Sequence, residues 1–62
     1  METKMINYYN HKLIMNRIRD HLWISFEAIR DEYIVEEFNL EKMHWTQSRY
    51  TADELENIFN LS

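Results

Sequence analysis

The chain has no glycine, no proline and no cysteine. Glycine and proline together average about 12% of residues in soluble proteins, so their joint absence constrains how this chain can turn. Turns that need a positive φ favour glycine, and two-residue hairpins depend on it strongly. Asparagine is the next-best residue at left-handed positions. The composition therefore favours helices joined by short, Asn-assisted connections over a multi-turn β fold. Without cysteine there is no disulfide and no cysteine–histidine metal framework to staple a small domain. A chain of 62 residues makes one domain at most and buries only about 60% of the surface its unfolded form exposes. The expected routes to stability are close helix packing, self-association or a partner. No apolar run approaches the ~18–20 residues of a membrane span. Asn7, Asn10, His11 and Lys12 interrupt the N-terminal stretch, which does not read as a signal peptide. A soluble, cytoplasmic protein is expected, and 15% aromatic content points to an ordered one.

What is present is one long stretch, from about Asn10 to Phe38, free of helix breakers. Met15, Ile18, Leu22, Phe26, Ile29 and Tyr33 follow at steps of three or four, which places them on one face of a helix. Leu13, Ile24 and Val35 fall on the opposite side with Ala28 and Phe38, and Trp23 and Ile34 lie between. Such a helix is apolar in two directions: either the C-terminal helix and the Leu40–Tyr50 connection fold back over the second side, or that side meets another molecule. Residues 1–9 read as a strand, an arm or an early helical start. Residues 39–50 read as a short helical turn followed by an extended connection. In the extended form Met43, Trp45, Gln47 and Arg49 share a face. Thr51-Ala52-Asp53-Glu54 is a capping box, with Tyr50 and Leu55 as its hydrophobic staple, and predicts a helix from 52 to about 60. The expected fold is mainly α: one long helix, an irregular connection and a short capped C-terminal helix.

The net charge of −4 conceals a split. Residues 1–30 carry Lys4, Lys12, Arg17, Arg19 and Arg30 against Glu2, Asp20 and Glu27. Residues 31–62 carry Lys42 and Arg49 against Asp31, Glu32, Glu36, Glu37, Glu41, Asp53, Glu54 and Glu56. On a single helix this order opposes the helix dipole, whereas an antiparallel pairing of two copies would satisfy it, so a homodimer is expected. Trp23, Ile34, Glu32, Glu36, Glu37 and Glu41 form the expected protein-binding set. Lys12, Arg19 and Arg30 are the alternative nucleic-acid-binding set, a thin basic stripe for an acidic chain. The eight carboxylates could also address a basic groove on a nucleic-acid-binding enzyme. Glu41-x-x-His44, with Glu37 nearby, has a spacing used in carboxylate metal sites, but a single such motif falls short of one, and no metal is expected. His11 and His21 read as a packed and a solvent-facing side chain. No cysteine nucleophile, glycine-rich phosphate loop or Ser/His/Asp set is present, so neither an enzyme nor a cofactor is expected. The sequence points to a small regulator or inhibitor that docks on a larger protein, of the kind encoded by viruses or mobile elements. A dimeric nucleic-acid-binding regulator and a homo-oligomeric assembly component are the alternatives. No motif identifies a family.

Overall fold

The stretch expected to form one long helix is instead cut by tight turns into antiparallel strands. The computed structural model describes residues 2–59. It contains β1 (Thr3–Tyr8), β2 (His11–Arg19), β3 (Leu22–Glu27), β4 (Glu32–Asn39), β5 (His44–Tyr50) and α1 (Ala52–Phe59). The strands form one sheet in the order β1-β2-β3-β4-β5, an antiparallel meander that curls into a half-barrel. The mainly α expectation, and the description of a small helical protein, are therefore overturned.

The turns show why the missing glycine misled. Tyr9, His21, Asp31 and Met43 all adopt positive φ, between 54° and 69°. Each sits in one of the four hairpin turns, so every turn is made without glycine. The strain is offset locally. Asn39 accepts a hydrogen bond from the Lys42 backbone N–H through Oδ1 (2.9 Å), and its carbonyl accepts one from the Met43 N–H (2.7 Å). Glu27 does the equivalent for the β3–β4 turn, taking the Arg30 N–H on its carboxylate at 2.5 Å. The His21 ring stacks on Phe38 with 5.3 Å between centroids. Because an ordinary residue in this conformation costs roughly 1–2 kcal/mol, these contacts make the turns tolerable rather than ideal.

Alternation then sorts the side chains onto two faces. Register across β1 and β2 pairs Lys4 with Met15, Ile6 with Leu13 and Tyr8 with His11. On this concave face Tyr8, Leu13 and Ile34 form a buried cluster beside Ile6. On the convex face Leu22, Ile24 and Val35 are covered by Leu55 of α1, with Tyr33, Tyr50 and Phe59 around them. The capping box places the helix there: the Thr51 N–H donates to Glu54 Oε1 (2.8 Å) and the Glu54 N–H donates to Thr51 Oγ1 (3.2 Å). The expected end of this helix, near residue 60, lies outside the described residues. A register shift between Arg17 and Arg19 marks a β-bulge, which sharpens the local twist of β2 and helps the sheet to curl.

Candidate functional site

The curl brings the two edge strands, β1 and β5, towards each other without joining them. No Cα of β1 lies within 8 Å of one in β5, whereas hydrogen-bonded strands sit about 4.7–4.9 Å apart. Long side chains bridge the gap at two places. Near the start of β1, the Lys4 ammonium donates to Glu36 of β4 at 2.8 Å. It also lies 4.6 Å from the ring centre of Trp23 and 5.2 Å from that of Trp45. Two indole faces and a carboxylate thus hold one cation, an arrangement in which ring quadrupole and ion pair act together.

At the other end Arg49 of β5 donates to the Tyr9 hydroxyl (3.0 Å) and approaches Glu32 (4.0 Å). The Tyr8 hydroxyl donates to the same Glu32 oxygen at 3.1 Å. Burial pushes the Tyr8 phenol above its ordinary pKa of 10.0, reinforced by Glu32 and opposed by Arg49. Beside this second bridge lies an open cleft of ≈ 380 Å³ lined by Asn7, Tyr8, Tyr9, Gln47 and Arg49. Gln47 also donates to Glu36 (3.3 Å), which links the cleft to the cation cage.

Glu27 supports this end of the seam from beneath. It is fully buried, and its carboxylate meets Arg30 Nη1 at 2.8 Å and His11 Nε2 at 3.3 Å. Arg30 in turn lies over the Tyr9 ring, 3.8 Å from its centre. One buried carboxylate therefore fixes the turn, the arginine and, through the arginine, the tyrosine beside the cleft.

Of the residues expected to bind a protein, Trp23, Glu32, Ile34 and Glu36 share the concave face. Trp23 pairs with Glu36 across β3 and β4, and Ile34 is buried in the floor. Glu37 faces the convex side beside Thr46, and Glu41 lies in the β4–β5 turn, so these two stand apart from the group. The expected basic stripe is dispersed. Lys12 and Arg19 lie near opposite ends of β2, and Arg30 is engaged by Glu27 and Tyr9. Among the described residues no group of three or more His, Cys, Asp or Glu could hold a metal ion. Glu37, Glu41 and His44 fall on a strand, a turn and the next strand. Among the described residues no helix is long and apolar enough to cross a membrane.

The helical reading missed Lys4, Tyr8, Tyr9 and the role of β5. Their signal was alternation: Lys4-x-Ile6-x-Tyr8 on one edge and Trp45-x-Gln47-x-Arg49 on the other. Comparisons with protein-family models, curated proteins and solved structures gave no match for this chain.

Proposed function

We propose that this chain is a small non-enzymatic protein-interaction module that takes an extended segment of a larger protein into the seam between β1 and β5. The observation that carries this reading is the seam itself: two unpaired strand edges, held apart by more than 8 Å, face one cleft and, among the described residues, are tied only through side chains. One inserted strand would span about 9.5 Å, two ordinary strand spacings. In an antiparallel meander β1 and β5 run in the same direction, so a single segment antiparallel to both would complete the ladder on each side.

The chemistry of the cleft defines the segment. Its backbone supplies the hydrogen bonds, and alternate side chains face Tyr8, Gln47 and Arg49, which line the cleft above the buried Leu13 and Ile34. A lysine or arginine on that face replaces Lys4 in the cage of Trp23, Trp45 and Glu36. Sequestering such a segment makes the protein a regulator or inhibitor of the chain that carries it. A cytoplasmic setting belongs to the same reading, supported by the absence of cysteine. Nucleic-acid binding is not favoured, because the basic residues are scattered and the cleft is flanked by Glu32 and Glu36.

The test is selection from a displayed library of unstructured peptides, using the whole chain and a seam-locked form. The lock is Tyr9→Cys with Arg49→Cys, bridged by a short bifunctional maleimide; the chain contains no other thiol. The expected result is enrichment of alternating peptides bearing a basic residue, with binding lost on locking and weakened about tenfold by Glu36→Gln. Peptides that bind the locked form equally well contradict the reading.

A further inference from the structure

The convex face is covered on one side only. Helix α1 lies over β4, β5 and the first half of β3, while among the described residues nothing packs on the β1–β2 half of the same face. There Met5 and Ile14 are directly paired and remain 61% and 58% exposed. Phe26, on the same face of β3, is 47% exposed. Ile58, on the helix, is 56% exposed.

Charge is divided along the same line. The β1–β2 hairpin, Thr3–Arg19, carries Lys4, Lys12, Arg17 and Arg19 and no acid; α1 carries Asp53, Glu54 and Glu56 and no base. Lys4 and Arg17 are used elsewhere, by Glu36 and by Glu2 with Asp20. Lys12 flanks Ile14 on β2, and Arg19 pairs with Leu22 at the far end of the bare half. Asp31 and Asp53 stand together around the mouth of an open cavity of ≈ 440 Å³ beside Phe26 and Tyr33. Among the described residues, none of Lys12, Arg19, Asp31 and Asp53 has an ion-pair partner.

We infer that the bare half of the convex face is a docking surface for a second copy of this chain. A two-fold axis along the strand direction places the helix of each copy over the uncovered β1–β2 half of the other. Met5, Ile14, Phe26 and Ile58 then meet across the interface. Lys12, at the hairpin end of β2, comes opposite Asp31 and Asp53 of the second copy, because the β3–β4 turn and the start of α1 lie at that same end. The contact is isologous and closes as a dimer, leaving the concave seam of each copy open. A typical stable interface removes about 800 Å² from each partner, roughly a sixth of the 4701 Å² this chain exposes.

The dimer contact does not involve the seam. It is tested by sedimentation equilibrium of the full chain, with circular dichroism to confirm that each variant keeps its fold. The expected result is a dimer, converted to monomer by Ile14→Glu. Lys12→Glu alone and Asp53→Lys alone each weaken association about tenfold, and an equimolar mixture of the two regains it because every reversed charge meets an opposite one. A wild-type monomer at about 1 mM, a dimer indifferent to Ile14→Glu, or a mixture no tighter than its components overturns the inference.

Discussion

Met43, 70% exposed, is the simplest place to measure what the missing glycines cost. Its φ of 56° suits glycine better than methionine. Met43→Gly is expected to raise unfolding stability by about 1 kcal/mol, read as an increased denaturation midpoint with an unchanged slope. Glu27 lies at the other extreme, because it is fully buried and three groups depend on it. Glu27→Gln keeps the shape but removes the charge from these bonds, and a loss of about 2 kcal/mol is expected in chemical denaturation. Tyr8 gives a pH dependence whose sign is fixed by its raised phenol pKa. The folded protein holds the proton more tightly than the unfolded chain. Tyr8 thus contributes stability that is present below pH 10.0 and lost as pH rises through the folded value. Tyr8→Phe should flatten the decline in stability above pH 10.0, and an unaltered decline would contradict this origin.

The strands of this chain were hard to read because their turns reset the alternation. Within β3, Leu22, Ile24 and Phe26 follow period two, and Leu13 with Met15 do so within β2. The bulge at Ile18 and the turn at Asp20–His21 shift the phase between them. As a result Met15 on the concave face, Leu22 and Phe26 on the convex face, and Ile29 in a turn fall at intervals of three and four that imitate one helical stripe. Six β-branched residues, Ile14, Ile18, Ile24, Ile29, Ile34 and Val35, lay in that stretch and favoured strands, a signal outweighed by the absence of glycine. The terminal helix was legible because a capping box is a local device: its residues contact each other whatever the rest of the chain does. Thr51→Ala should cost about 1 kcal/mol through the lost cap. Leu55→Ala should cost about 2–5 kcal/mol, because Leu55 fills the convex core. If thermal unfolding found the cap substitution the more damaging of the two, the helix would owe its place to local signals rather than to packing.

In the molecule as a whole, the charge division of the sequence becomes a spatial one, with a basic hairpin over Thr3–Arg19 and an acidic α1, while the apolar stripe of the expected helix is split between the two faces of the sheet. Concave-facing Trp23, Glu32, Ile34 and Glu36 come together because positions 32, 34 and 36 alternate on one strand and Trp23 pairs with Glu36 on the next. The seam they face was not legible, since it depends on how far a five-stranded meander curls and on which edges it leaves unpaired. The most direct measurement is amide hydrogen exchange of the whole chain, residue by residue, with and without a selected peptide. In the free protein the outward amides of β1 and β5 should exchange quickly while β3 is protected. Peptide binding should protect both edges at once. Edges already protected without peptide, or a bound peptide that protects neither, would contradict an open seam that receives a strand.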